Sequence, residues 1–220
     1  MIVDAPPYDL VALFADQDAK YLFDALIERG QERGCLRPIR WRSLRDPRRD
    51  AFVQHPTESL APFLRSPDVR FFITWDEAGS GTHVDAPQAE ADVRAELARA
   101  GVEADRILAV AFVPELEALF RPVWKRVVEL LAELRERTAP AQSLILQLAR
   151  ELEPSVPQDF DQALALTPKE MLGGALRALQ HRPSAAIYEK LGQQVSISEM
   201  KRSQAAARVA ATLQQWFPPA

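Results

Sequence analysis

Up to about Thr138, short apolar runs alternate with amphipathic stretches, and that alternation predicts strands and helices in turn. YDLVALFA, residues 8–15, is a compact apolar run bounded by turn formers and reads as a buried strand. In DQDAKYLFDALIERGQERG, Tyr21, Leu22, Ala25 and Leu26 recur at helical spacing, and Gly34 supplies a stop. LRPIRWRSL, residues 36–44, reads as a second strand. There Ile39 and Trp41 alternate with Arg40 and Arg42, as on an edge or half-exposed strand. A loop and a short helix beginning at Thr57-Glu58-Ser59 follow. VRFFITW, residues 69–75, is the third strand. The loop behind it runs to Pro87, a favourable first helical residue, and QAEADVRAELARAG is a helix ended by Gly101. RILAVAFV is the fourth strand, apolar throughout like a central parallel strand, and Pro114 opens a helix that runs to about Arg137 or Thr138.

This order predicts an α/β fold: a four-stranded, mainly parallel sheet flanked by helices, with right-handed crossovers. Beyond it the pattern is helical only, over residues 142–152, 168–179, 185–193 and 204–217, with EPSVPQDFD linking the first two. The expected division is an α/β domain over residues 1–138 and an all-α C-terminal extension over 139–220. The last helix, AAARVAATLQQWFPP, is amphipathic and suited to docking on its own domain or on a partner, the former being the expectation.

Composition narrows the class. A chain of 220 residues with a net charge of −4 can bury a sizeable core, and it lacks the basic balance of a protein whose whole surface grips nucleic acid. Cys35 is the single cysteine, which excludes an internal disulfide. With no basic and apolar leader in MIVDAPPYD, the expected location is the cytoplasm. The longest apolar run, ILAVAFV from Ile107, falls well short of the about 20 residues that span a bilayer, so no membrane association is expected.

Ligands of open parallel sheets bind beyond the carboxyl ends of the strands, and acids gather at three of those ends. Asp16 and Asp18 follow the first strand, Asp76 and Glu77 the third, and Glu115 and then Glu117 the fourth. Hard oxygen donors suit Mg²⁺ or Mn²⁺, which would polarise a phosphodiester and activate water. Asp76, Asp16 and Glu115 are the expected metal ligands, and Asp76, Glu77, Asp16 and Asp18 the expected catalytic carboxylates. Each acid also has a plain structural reading. Asp16 or Asp18 would cap the first helix, worth about 1 kcal/mol, and Glu115 would sit favourably in a helix's first turn.

The loop EAGSGTH is neither a P-loop nor a dinucleotide fingerprint. Gly81 is followed by Thr82 rather than Lys, and Gly79 and Gly81 lack a third glycine and open no helix. His83 has two readings, a contact to a phosphate or a metal and an exposed loop residue, the latter being the expectation. The run from Arg40 to Arg49 has two readings. As a phosphate-binding face, Arg40, Arg42, Arg45, Arg48 and Arg49 would hold a nucleic-acid backbone while Trp41 stacks on a base. As structure, it is the solvated side of an edge strand, with Arg45 and Arg49 paired to Asp46 and Asp50. No Cys/His spacing fits zinc, and Cys35 has no sequence-near histidine for nucleophilic catalysis.

The first strand with its acidic turn, the WDEAGSG strand end and the apolar strand running into PELEALF together resemble the TOPRIM-like family of bacterial defence and repair proteins, which includes OLD-type nucleases. The resemblance covers about residues 8–137. It implies a Rossmannoid four-stranded parallel sheet and Mg²⁺- or Mn²⁺-dependent phosphodiester chemistry in anti-phage defence, with Asp76 as the metal-binding aspartate and Glu77 its neighbour. The family's glutamate after the first strand has no match here; Asp16 and Asp18 stand nearest, and DEAGSG has no Asp-x-Asp. SAAIYEKLGQQVSISEMKRS with LQQWFP resembles the tail of small proteins of methylation-associated defence operons. The resemblance thus implies a nuclease or phosphotransfer protein acting on nucleic acid. Its alternative is a catalytically degenerate scaffold or interaction subunit working with other defence-system proteins.

Overall fold

The first strand, β1 (Leu10–Phe14), is buried along its whole length because neighbours flank it on both sides. The computed structural model describes residues 8–134, 168–195 and 201–220. In it β1 pairs in parallel with β2 (Trp41–Arg45) and β3 (Arg70–Asp76), and β3 pairs in parallel with β4 (Ile107–Phe112). The sheet order is β2-β1-β3-β4, all parallel. Helices α1 (Gln17–Glu32), α2 (Pro56–Leu60), α3 (Ala86–Arg99) and α4 (Trp124–Glu133) connect and follow the strands. The C-terminal helices are α5 (Pro168–Ala178), α6 (Ala185–Gln194) and α7 (Gln204–Trp216).

Alternate strand residues face opposite sides, and each side has its own core. On one, Leu10, Ala12, Phe14, Phe72, Val110 and Phe112 meet α1, α4 and the three C-terminal helices. On the other, Val11, Leu13, Phe71, Ile73 and Trp75 meet α3, α2 and the 3₁₀ turn Arg49–Gln54. The step from β1 to β2 runs one way with its helix on the first face. The steps to β3 and β4 run the other way with their connections on the second, as crossovers of a single hand require. Phe23 of α1 stacks on Phe14 and Phe112 with centroids 5.8 Å away, and meets Phe72 edge-on at 5.1 Å. This aromatic cluster ties α1 to the carboxyl ends of β1 and β4 and to the interior of β3.

The C-terminal helices share the first core rather than standing apart from it. Gly192 of α6 lies so close to α1 that a Cβ there would meet the Leu22 carbonyl oxygen at 2.6 Å. From α7, Trp216 Nε1 donates to the Asp105 carbonyl at 2.8 Å and Phe217 is fully buried. The free edge of β4 is sealed by an ion pair between helices. Arg208 of α7 binds both oxygens of the buried Glu90 of α3, at 3.0 and 2.6 Å. Arg208 also donates to the Ala109 carbonyl at 3.1 Å, and Glu90 accepts the Ala111 N–H at 3.0 Å. These are backbone groups that an edge strand otherwise leaves unpaired.

Two boundaries differ from expectation. β2 begins at Trp41, because residues before it are held by side chains: Gln31 accepts the Ile39 N–H at 2.8 Å and Asp9 the Arg40 N–H at 2.9 Å. After β4 the chain first forms a 3₁₀ segment, Leu116–Val123, whose Pro122 has no N–H to donate, and the α-helix starts only at Trp124. The expected helix over 142–152, its EPSVPQDFD linker and the boundary at 138/139 lie outside the described residues. Among the described residues no helix is long and apolar enough to cross a membrane.

Candidate functional site

The strand order reverses direction between β1 and β3, and the crevice beyond their carboxyl ends is where open α/β sheets place ligands. Asp76 closes β3 at this crevice, opposite Phe112 of β4. Its N–H donates to Asp50 Oδ1 at 2.7 Å, and its own Oδ1 accepts the Leu116 N–H at 2.8 Å. Asp50 comes from the turn after β2, so the fourth strand end supplies an acid as well. Its carboxylate lies against Gly79: a Cβ there would meet Asp50 Oδ2 at 2.5 Å. Gly81, with φ of 65°, occupies a backbone region that suits glycine. The glycines of the loop therefore serve a close approach and a left-handed turn.

Asp16 caps α1, its Oδ1 accepting the Ala19 N–H at 2.8 Å, and Asp18 sits in the first turn. Glu117, 4% exposed, enters from the segment after β4. Its Oε1 accepts the Tyr188 hydroxyl of α6 at 2.5 Å, while its Oε2 is buried without a hydrogen-bond partner. Lys169 of α5 pairs with Glu115 at 3.3 Å. The helical C-terminal region thus brings a base and a phenol to the edge that the sheet lines with acids.

Crowding of carboxylates perturbs their titration. Burial, then the charges of Asp50, Glu117 and Asp16, push Asp76 up to about 8 despite the opposing Leu116 hydrogen bond. Asp18 is pushed up to about 6 by burial and by Asp16 and Glu117, with Lys169 acting against the shift. Burial likewise raises Asp50 and Glu117; Asp16 adds to the first, and the Tyr188 hydrogen bond and Lys169 counter the second. Burial opposes the charge of Lys169, but Glu117, Glu115 and Asp76 outweigh it and hold the ammonium above its ordinary range. Burial and the neighbouring Glu117 keep Tyr188 protonated.

Of the residues expected from the sequence, Asp76 and Asp18 each feel the charge of Asp16 at this edge. Glu115 is engaged by Lys169, and Glu77 turns to accept the Ala86 N–H at the start of α3, at 3.1 Å. Asp50, Lys169 and Tyr188 were outside the expected set. Asp50 becomes visible once β2 is seen to end at Arg45, whereas nothing local in the sequence marks Lys169 or Tyr188. His83 is exposed, as expected.

The arginine run does not form one face. Arg42 and Arg45 are exposed on β2 at positions of opposite parity, so they project to opposite sides of the sheet. Arg48 binds the buried Asp46 at 2.9 Å and Glu58 at 2.6 Å. Arg40 lies 3.8 Å from Asp9, and Trp41 Nε1 donates to Asp24 at 2.9 Å. The expected pairing of Arg45 and Arg49 with Asp46 and Asp50 is replaced: Asp46 takes Arg48, and Asp50 takes the Asp76 N–H.

No family model, no curated protein and no solved structure matches the chain. Among the described residues, no three His, Cys, Asp or Glu side chains are grouped at metal-holding spacing. The donor chemistry nevertheless fits a hard divalent cation. Half-buried carboxylates raise one another's pKa, and Glu117 Oε2 is buried with no hydrogen-bond donor. As they stand, the carboxylates are spread over separate N–H, hydroxyl and ammonium donors.

Proposed function

We propose that the chain is a Mg²⁺- or Mn²⁺-dependent phosphodiester-processing protein of TOPRIM type, a nuclease or phosphotransfer protein acting in anti-phage defence. The observation that carries this reading is Asp76, half-buried at the switch point and pushed up to about 8 with Asp50, Glu117 and Asp16 around it. So much unbalanced negative charge at a ligand-binding edge is what a divalent cation neutralises. Asp76, Asp16 and Glu117 would hold the ion, which would supply Lewis acidity and an activated water. Asp18, at about 6, exchanges its proton near neutral pH and suits general acid–base work. Lys169 balances charge beside Glu115 and is positioned to meet a phosphate oxygen. Tyr188 fixes the Glu117 carboxylate through its hydroxyl.

A second reading, a non-catalytic scaffold or interaction subunit, is favoured by one observation. Asp16, Asp76 and Glu77 each accept a backbone N–H, so each also has a structural task. Plasmid cleavage in Mn²⁺ separates the two. The first reading expects cleavage by wild type that Asp76→Ala abolishes. Absence of cleavage in both proteins, or equal cleavage by both, removes the first reading.

A further inference from the structure

A cleft of about 740 Å³ opens where the chain leaves β4, between α3, the 3₁₀ segment after β4 and the start of α7. Its floor is apolar, with Phe112, Pro114 and Pro122, and its walls carry Arg121, Arg202 and Arg208 against the single acid Glu90. Arg208 is held by both oxygens of Glu90, which fixes its guanidinium at the cleft wall. Arg121 and Arg202 are exposed, and among the described residues neither has an acidic partner. The start of α7 adds to this: Ser203, its N-cap residue, makes no side-chain capping bond, and Ser203, Gln204 and Ala205 all line the cleft.

We propose that this cleft binds a phosphate-bearing ligand of nucleotide size, with Arg121 and Arg202 as its phosphate contacts. The guanidinium fork matches phosphate oxygens, and an apolar floor beside it accepts a sugar or base. The volume exceeds what a lone phosphate fills and suits a nucleoside phosphate or one unit of a nucleic-acid strand. The chain is acidic overall, so a cleft lined by three arginines and one acid departs from the background charge. The inference names the substrate-binding face for the reading above and rests on that reading only for the chemistry.

The test is fluorescence anisotropy with a labelled single-stranded oligonucleotide and, as a competing arm, ATP, both in EDTA so that no turnover enters. Arg121→Glu/Arg202→Glu is compared with Arg42→Glu/Arg45→Glu, all four positions being exposed, and circular dichroism checks the fold. The expected result is at least a tenfold loss of affinity for R121E/R202E. The salt slope falls by roughly 0.7 for each lost phosphate contact on a single strand, and R42E/R45E stays within about twofold of wild type. Binding of oligonucleotide that ATP does not displace assigns a nucleic-acid strand; displacement by ATP assigns a free nucleotide phosphate. Unchanged binding of both probes by R121E/R202E, or no binding of either by wild type, overturns the proposal. Persistent binding in a protein that never cleaves would remove the catalytic reading and leave this one standing.

Discussion

Replacing Asp76 by Asn should make the cation-free protein more stable at alkaline pH. Burial and the surrounding carboxylates raise Asp76 from 3.8 to about 8. Between those values the side chain is protonated in the fold and ionised in the unfolded chain. Stability is therefore fully present below about pH 4 and is lost as pH rises toward 8. Roughly four pKa units at about 1.4 kcal/mol each come to on the order of 5–6 kcal/mol. Water reaches part of this half-buried carboxyl and screens the repulsion, which leaves about 2–3 kcal/mol at pH 8. Asn keeps the Oδ1 acceptor for the Leu116 N–H and has no charge to repel. Urea unfolding followed by tryptophan fluorescence in EDTA should show D76N more stable than wild type by that amount at pH 8. Below about pH 4, where Asp76 is protonated in both the folded and the unfolded chain, the two should be nearly equal. A D76N protein less stable than wild type at pH 8, or a difference that does not change with pH, would refute the electrostatic account of the cluster.

Three further substitutions, with Gln193→Ala as a control, test how the C-terminal helices join the α/β core. Gly192→Ala should cost about 1–3 kcal/mol by driving a methyl into the Leu22 carbonyl and prising α6 from α1, read as a fall in urea midpoint. Arg208→Ala should cost about 1–3 kcal/mol by leaving the buried Glu90 with only the longer Arg94 pair at 3.7 Å and the Ala111 N–H, and by opening the β4 edge, with self-association by light scattering as a second readout. Tyr188→Phe should cost about 1–3 kcal/mol by leaving Glu117 without its hydroxyl donor, measured by the same unfolding curves, while Gln193→Ala on the exposed side of α6 should cost under about 0.5 kcal/mol.

β1 was legible because a central parallel strand is apolar on both faces, and LVALF carries that pattern without interruption. ILAVAF carries it too and reads as a central strand, yet β4 lies at the sheet edge; it is apolar throughout because both its faces are covered and Arg208 and Glu90 take up its free edge. Helices α1, α3, α6 and α7 were legible from their period. The start of β2 was not, since Gln31 and Asp9 hold residues before it through contacts that the local pattern does not contain. The acids at three strand ends followed from topology, but their individual roles did not. Glu77 turns to α3 and Glu115 meets Lys169 from a distant helix, both through tertiary contacts. Lys169 and Tyr188 are invisible to motif reasoning because they reach the site only when α5 and α6 pack on the first core. The arginine run misleads for a related reason: strand alternation splits it, and Asp46 and Glu58 neutralise Arg48.

The central claim is that the carboxyl edge of the sheet is a divalent-cation site, and calorimetric titration of Mn²⁺ tests it most directly. Asp76, at about 8, carries a proton at neutrality that a cation must displace. Wild type should bind one Mn²⁺ with a heat that varies with the buffer's ionisation enthalpy, reporting proton release, and D76N should bind at least tenfold more weakly. Wild type that binds no Mn²⁺, or D76N that binds it equally well, would contradict the account.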